Sequence, residues 1–211
     1  MINKLLDNLG EKYPLTKNPK SEFDGIKVKG MKFNIESYEA AGLGHVSTMS
    51  AKGFFGLMKM DTMIVTPKEK DQPLFSYDRI QAMGNDKLYV EFYDTCVKEP
   101  EMKEVDSLGK KYSEVPKAQP KVQWYDDIKL PETTTYVGKK KDTDKFDKIA
   151  LEYMDAYKKL PSVEVTDTEA KNKRISYYVD GLLNNGGPAT DVFLNAVGKE
   201  KTTELFKKVL F

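Results

Sequence analysis

The sequence has very little cysteine and histidine, with one residue of each: Cys96 and His45. A lone cysteine excludes an internal disulfide, a multi-cysteine metal site and an iron–sulfur cluster held by this chain. A lone histidine excludes a metal site built on a histidine pair, and any Ser–His–Asp triad would depend on His45 alone. The composition therefore predicts that the protein holds no metal.

The familiar catalytic and nucleotide-binding motifs are also missing. There is no G-x-S-x-G nucleophile elbow, no phosphate-binding loop with G-K-[ST], and no G-x-G-x-x-G fingerprint. Gly42-Leu43-Gly44 lacks the third glycine and the strand-to-helix context of that fingerprint. Together with the cysteine count, these absences predict a protein without flavin, nicotinamide or heme as a cofactor.

An excess of one sign of charge and long apolar runs are absent as well. Lys and Arg total 34 against 33 Asp and Glu, a formal net charge of +1, which disfavours a nucleic-acid partner. No run has the length of a membrane span. The first 15 residues resemble a short amphipathic helix without the apolar core of a signal peptide. We therefore expect a cytoplasmic location and no membrane partner.

Arginine is scarce, and the two that occur are Arg79 and Arg174. The planar guanidinium suits bidentate binding of carboxylate or phosphate. Both are therefore candidates for binding an anionic group of a ligand, although the same residues also fit an ordinary surface role.

The 211 residues are 39% hydrophobic, which is enough for the core of a single domain spanning 1–211. Alternation of apolar and polar residues predicts strands, and Lys29-Gly30 and Gly84-Asn85-Asp86 have turn chemistry. Strands this close together favour an antiparallel meander. The predicted strand segments are 23–30, 31–42, 44–53, 57–67, 76–83 and 87–96.

The second half of the chain is predicted to be helical. The proline-rich segment 97–141 should hold one helix near 101–111 and extended connections around Trp124. From Asp142 onward the apolar period is that of amphipathic helices, with Pro161 and Gly186-Gly187 as breaks. Strands first and helices last favour an α+β fold in which helices cover a central antiparallel sheet.

Carboxylates on the predicted strands are the best candidates for chemistry. Asp61 interrupts an apolar run, Asp78 and Asp94 lie on or beside the next strands, and Glu91 alternates as a solvent-facing residue would. Each aspartate is either hydrogen-bonded for structure or kept for function. His45 is either an ordinary packed or surface histidine or a heme ligand or proton donor.

Two separated segments carry a resemblance to a known family. DQPLFSYDRI, residues 71–80, resembles the D-x-P-x-F-G-x-D segment of the ferredoxin-dependent bilin reductases, which also follows a strand ending in proline. FLNAVGKEKTTELFKKVLF, residues 193–211, resembles the closing helices of that family. The order and separation of the two segments match from about residue 31 onward.

This resemblance implies a three-layer α/β/α sandwich that holds a linear tetrapyrrole between the sheet and the carboxy-terminal helices. It also implies electrons from ferredoxin, no organic cofactor, and a proton-handling aspartate that corresponds to Asp78. The red chlorophyll catabolite reductases share this fold and class of chemistry.

The sequence departs from the family pattern at several positions. Ser76 and Tyr77 replace the usual glycine and its small neighbour, and Thr62, flanked by Asp61, stands where some members have a histidine. His45 is not in register with that histidine. These departures put the family's proton chemistry in doubt, because Asp78 would have to act without that histidine.

The resemblance predicts Asp78 as the proton donor. The residues expected to contact the substrate are Thr62, Asp61, Arg79, Arg174 and His45. The alternatives are a non-catalytic protein that binds a tetrapyrrole or another small ligand, and a protein in which the motif only stabilises the strand crossing.

Overall fold

The computed structural model describes residues 1–53, 56–119 and 122–211. In these ranges eight strands form one antiparallel sheet in the order β1-β3-β4-β5-β6-β7-β8, with the short β2 paired beside β3. Their bounds are β1 (Leu15–Lys17), β2 (Lys27–Val28), β3 (Met31–Ala40), β4 (Gly44–Gly53), β5 (Met58–Pro67), β6 (Leu74–Ala82), β7 (Asn85–Tyr93) and β8 (Thr134–Lys139).

Helices lie on both faces of the sheet. One face, called here the α3 face, carries α1 (Ile2–Gly10), α2 (Lys103–Lys111) and α3 (Thr143–Lys159). The other, the α4 face, carries α4 (Thr168–Asn185), α5 (Pro188–Leu205) and a final turn, Phe206–Leu210. The predicted α/β/α sandwich is confirmed.

Two apolar cores result from the alternation along the strands. On β6, Phe75 and Tyr77 belong to the core on the α3 face, whereas Leu74 belongs to the core on the α4 face. Because successive side chains of a strand point to opposite faces, this assigns a face to every other residue of β6. The residues on the two faces of the sheet are therefore described separately below.

Two glycine turns join neighbouring strands at one end of the sheet. Lys29 and Gly30 have φ of 47° and 78°, and Met83 and Gly84 have φ of 50° and 78°. Positive φ at both central residues is the geometry that matches the twist of a two-residue hairpin. The second turn lies one residue earlier than predicted, so Asn85 and Asp86 already belong to β7.

Helix α3 fits the predicted apolar stripe. Phe146, Ile149, Tyr153 and Tyr157 are buried against the sheet, and the helix ends at Lys159, two residues before Pro161. Helix α1 packs on α3, and Asn8 donates a hydrogen bond to Asp155 at 2.8 Å. The amino-terminal helix is thus held by a helix from the second half of the chain.

The segment between β7 and α3 differs from its prediction. It contains strand β8, which pairs with β7 from Thr134↔Val90 to Lys139↔Asn85, and Trp124 lies in a turn rather than in an extended connection. Gly181 of α4 makes room for the Trp124 ring, because a Cβ there would lie 2.2 Å from it. None of the described helices is long and apolar enough to cross a membrane.

Candidate functional site

Asp78 and Thr62 lie directly opposite each other on neighbouring strands β6 and β5. The Thr62 hydroxyl donates a hydrogen bond to Asp78 Oδ1 at 2.5 Å, and the Ser76 hydroxyl donates to Asp78 Oδ2 at 3.1 Å. The residue that stands in place of the family histidine is therefore the cross-strand partner of the candidate proton donor.

This pair lies on the α4 face, beneath the carboxy-terminal helices. Asp78 and Ser76 share the side of β6 that Leu74 occupies, and Thr62 shares the side of β5 that Ile64 occupies. Across from Asp78 on β7 stands Tyr89. The tetrapyrrole site implied by the sequence resemblance is on this same side of the sheet.

The environment of Asp78 favours its protonated form. The pKa of Asp78 is raised to about 6: burial is the main cause and the charge of Glu91 adds to it, whereas the hydrogen bonds from Thr62 and Ser76 lower the pKa. Asp78 forms no salt bridge with any residue in the described ranges. A carboxyl with this pKa is protonated in roughly a tenth of molecules at pH 7, which is what a general acid requires.

The sheet becomes more exposed from Asp78 toward the start of β5 and the end of β6. Asp78, Ile80 and Met60 are partly exposed, whereas the other ends of β5 and β6 are buried. At the tip, Leu57 is 67% exposed and Met83 is 86% exposed. Asp78 thus stands at the boundary between the covered and the open part of the α4 face.

The two pockets described in the structure lie away from Asp78. A pocket of about 90 Å³ lies between β3 and the carboxy terminus, lined by Lys17, Glu36 and Val209 among others. A groove of about 600 Å³ lies beside α1 and is lined by Leu6, Leu15 and other residues. Access to Asp78 is therefore from the open end of the sheet rather than through either pocket.

Glu91 is a member of the site that its pattern did not reveal. It was expected to face solvent, but its carboxylate is only 17% exposed and pairs with Lys129 at 3.3 Å. The Tyr93 hydroxyl donates a hydrogen bond to it at 3.0 Å. Alternation gives Glu91 the same face as Ser76, its cross-strand partner. The alternation pattern does not predict that the segment carrying Lys129 covers Glu91.

An aromatic cluster borders the covered side of this site. The Tyr93 and Tyr178 rings stack with centroids 4.4 Å apart, and Tyr125 packs edge-on against both. Trp124 packs on Tyr125 and donates a hydrogen bond from Nε1 to the Gly186 carbonyl at 2.9 Å. These rings fill the space between β7 and α4.

Asp61 and Arg79, both predicted to contact the substrate, lie on the opposite face of the sheet. Each is adjacent in sequence to a residue of the Thr62–Asp78 pair, and adjacent residues of a strand point to opposite faces. Asp61 pairs with Lys59 at 2.8 Å. Arg79 is buried and donates to Asp86 Oδ2 at 2.5 Å. The structure therefore does not bring these two side chains to Asp78.

Arg174 and His45 are on the α4 side but have other partners. Arg174 Nη1 lies 3.8 Å from Asp94 Oδ2, and its side chain is 46% exposed. The His45 ring contacts Glu39 Oε1 and the Val209 carbonyl oxygen, both at 2.9 Å. His45 therefore fastens the carboxy-terminal turn to β4, and both of its ring nitrogens have partners within the protein.

The motif residue Asp71 has a structural position. Its carboxylate accepts hydrogen bonds from the backbone N–H groups of Val97 and Lys98 at 2.8 and 2.9 Å, and it lies 3.5 Å from the buried ammonium of Lys171. In the described ranges no group of three or more His, Cys, Asp or Glu side chains is arranged to hold a metal ion.

Comparison with known proteins shows a likeness of structure without one of sequence. No protein-family model and no curated protein matches the sequence. The structure is similar to that of phytochromobilin synthase from tomato in complex with biliverdin, with a TM-score of 0.76 and 12% sequence identity. The match covers 98% of this chain and 80% of that one. It confirms, at the level of the fold, the predicted resemblance to the bilin reductases.

Proposed function

We propose that this protein binds a linear tetrapyrrole on the α4 face and reduces it with electrons from ferredoxin, with Asp78 as the proton donor. One observation carries the proposal: Asp78, with a pKa raised to about 6, stands without a cationic partner in the described ranges on the face beneath the carboxy-terminal helices. The proposal is supported by the shared fold with phytochromobilin synthase, a protein whose structure holds biliverdin.

The tetrapyrrole would enter from the open end of the sheet. Met60, Ile80 and Tyr89 offer a partly exposed apolar surface there, and such surface suits the flat rings of a bilin. Lys87 lies on the same face and is exposed, so its ammonium is available to a propionate carboxylate. Arg174 is a further candidate if its weak contact with Asp94 opens.

Proton transfer from Asp78 fits the arrangement of its partners. Reduction of one double bond takes up two electrons and two protons, and the protonated Asp78 would supply one of these protons. The hydroxyls of Thr62 and Ser76 both donate to the carboxyl, which fixes its orientation. Solvent at the open end would return the proton.

A second function, binding without catalysis, is favoured by one specific observation. The position opposite Asp78 is held by Thr62, whose hydroxyl does not titrate near neutral pH, so the site lacks the second proton-handling group of some bilin reductases. A protein with this site could hold a bilin without reducing it.

The test is a pair of measurements on Asp78→Asn. Biliverdin titration should give a red shift or sharpening of the long-wavelength band with both wild type and variant. Anaerobic turnover with reduced ferredoxin should fall by about 10²-fold or more in the variant, the usual contribution of general acid catalysis. Asp61→Asn, on the other face of the sheet, is the matched control and should keep its turnover.

Unchanged turnover in Asp78→Asn would refute the catalytic assignment. Bilin binding without any turnover in the wild type would instead support the binding function. If no spectral change occurs and the affinity is weaker than roughly millimolar, both functions are excluded, and the motif serves the strand crossing alone.

A further inference from the structure

The proposed reduction, on which this inference rests, needs a second proton while the open end of the sheet is covered. Reduction of one double bond takes up two protons, and the Asp78 carboxyl carries only one. Solvent at the open end can return a proton to Asp78 between turnovers. A bilin lying over the partly exposed Met60 and Ile80 closes that route. The second proton of the same turnover therefore has to reach Asp78 from the covered side.

Glu91 lies on this covered side of Asp78. On β7, Tyr89 stands opposite Asp78 and Glu91 stands opposite Ser76, so Glu91 is the diagonal neighbour of Asp78 on the same face of the sheet. Diagonal neighbours of an antiparallel pair are about 7–8 Å apart. After burial, the negative charge of Glu91 is the cause that raises the pKa of Asp78, so the two carboxyls influence each other.

The Ser76 hydroxyl connects the positions of the two carboxyls. It donates a hydrogen bond to Asp78 Oδ2 at 3.1 Å. Ser76 and Glu91 are direct cross-strand partners, and such partners have Cβ atoms about 5 Å apart, a gap that a glutamate side chain spans. The bilin reductase segment that residues 71–80 resemble has glycine in place of Ser76. The hydroxyl is therefore a feature of this chain that the resemblance does not explain.

The Glu91 carboxylate reaches solvent away from the open end. Its Oε1 lies 3.3 Å from Lys129 Nζ in the segment before β8, and the side chains of Glu91 and Lys129 are 17% and 20% exposed. Its Oε2 accepts a hydrogen bond from the Tyr93 hydroxyl at 3.0 Å. Glu91 is thus held in place on both oxygens and can exchange protons with water beside Lys129.

The phenols near the two carboxyls do not offer an alternative source of protons. They belong to Tyr89 on β7, Tyr125 in the turn before β8 and Tyr178 on α4. Burial is the main cause that raises the pKa of each phenol above its usual value, and the charges of Asp78 and Glu91 contribute. The three phenols therefore keep their protons near neutral pH.

We propose that Glu91 relays a second proton to Asp78 through the Ser76 hydroxyl while the bilin covers the open end of the sheet. In this step the O–H bond of protonated Glu91 breaks and its proton passes to Ser76 Oγ, as the Ser76 hydroxyl proton passes to Asp78 Oδ2. Glu91 is left ionised beside Lys129 and takes up a proton from water there. One proton moves and no electron does. Because Glu91 acts through Asp78, it is a positioning residue.

The first test compares anaerobic turnover of biliverdin with reduced ferredoxin in three variants. Glu91→Gln and Ser76→Ala should each lower kcat by at least about tenfold, because proton transfer by a positioned group contributes about 10²-fold or more. KM and bilin affinity should stay within about twofold of wild type. Ser76→Thr keeps a hydroxyl at this position and should recover most of the lost kcat.

Glu152→Gln is the matched control for Glu91→Gln. Glu152 is a glutamate on the α3 face with the same kinds of partner: its side chain is 23% exposed, Lys111 lies 2.5 Å away, and the Tyr112 hydroxyl donates to it at 2.7 Å. The substitution removes the same charge from an equally enclosed position. Its kcat should equal that of wild type.

The second test needs neither bilin nor turnover. The titration of the Asp78 carboxyl carbon is followed by NMR in wild type, Glu91→Gln and Glu152→Gln. Removal of the like charge of Glu91 should move the Asp78 titration to lower pH, whereas Glu152→Gln should leave it in place. A purely structural role of Glu91 would not produce this difference.

Three results would overturn the relay and leave Asp78 as the proton donor. The first is a wild-type kcat in Glu91→Gln and Ser76→Ala. The second is an equal loss of kcat in Ser76→Ala and Ser76→Thr, which would show that the hydroxyl is not responsible. The third is an unmoved Asp78 titration in Glu91→Gln. Absence of turnover in the wild type would instead overturn the function on which the relay depends, and the relay with it.

Discussion

The charged residues on the two faces of strand β6 differ in how they are paired. On the α3 face, Arg79 is 4% exposed and is surrounded by Asp86, Asp147 and the Thr143 carbonyl. On the α4 face, Asp78 has only two hydroxyl donors and the repulsion of Glu91. The comparison shows that one sheet can hold, on adjacent residues, a fully paired cation and an acid without a cationic partner in the described ranges.

The pairing on the α3 face has the opposite effect on acidity. Burial alone would raise the pKa of Asp86, but the hydrogen bonds from Arg79 and Gln81 hold this pKa below its usual range. Asp86 is therefore ionised when Asp78 is partly protonated. The contrast between the two carboxylates is one of partners, because both are held within the sheet.

The strongest way to break this contrast is to remove the charge of Asp86. Asp86→Asn leaves the buried Arg79 with only the partly exposed carboxylate of Asp147 as a counter-ion, and we expect a loss of about 3–5 kcal/mol in the free energy of unfolding, measured by urea denaturation at pH 7. Asp147→Asn is the control, because that carboxylate is 26% exposed and 3.3 Å from Arg79, and it should cost about 1 kcal/mol or less. Similar losses in both variants would contradict the assignment.

Removing the charge of Asp78 should raise the free energy of unfolding, whereas removing the charge of Asp86 should lower it. Because the pKa of Asp78 is raised from 3.8 to about 6 in the folded state, the folded protein binds more protons between these values and loses stability as the pH rises through them. Asp78→Asn should therefore raise the free energy of unfolding by up to about 2 kcal/mol at pH 8, after allowance for partial exposure.

This gain should shrink as the pH falls through 6 and vanish below about 3.8, the unperturbed pKa. Melting curves of wild type and Asp78→Asn at several pH values give the difference directly. A variant that is less stable than wild type at pH 8 would show that Asp78 is a structural cap instead.

A substitution with a smaller expected effect tests what sets the pKa of Asp78. Thr62→Val removes the hydroxyl that donates to Asp78, a hydrogen bond that lowers the pKa of that carboxyl. We expect this pKa to move upward, observed as a shifted titration of the Asp78 carboxyl carbon in NMR, with a stability loss of about 1 kcal/mol. An unmoved titration curve would mean that Thr62 does not tune Asp78.

The sequence predicted the elements whose pattern is periodic. The strands from 31 to 93 and the apolar stripe of α3 follow from alternation and from the 3.6-residue period. Strand β8 was missed because it is a short edge strand, Thr134–Lys139, whose partner is supplied by β7. Its neighbours in sequence contain proline and lysine, which favour a loop.

The candidate site was predictable only in part. Asp78 and Thr62 could be placed together from the family motif, and their adjacency to Arg79 and Asp61 already implied that the latter two face away. The half-buried state of Glu91 and the open end near Met83 depend on which segments cover the sheet. No local pattern in the chain contains that information.

The packing of α1 on α3 has a consequence for synthesis of the chain on the ribosome. The Asn8–Asp155 hydrogen bond joins residues 147 positions apart, and Leu5, Leu6 and Leu9 are buried in a core to which α3 contributes. At translation rates of about 5–20 residues per second, α3 follows α1 by roughly 7–30 s. During that interval the apolar face of the first helix lacks the cover of α3, while the hairpins of the meander can already form from neighbouring segments.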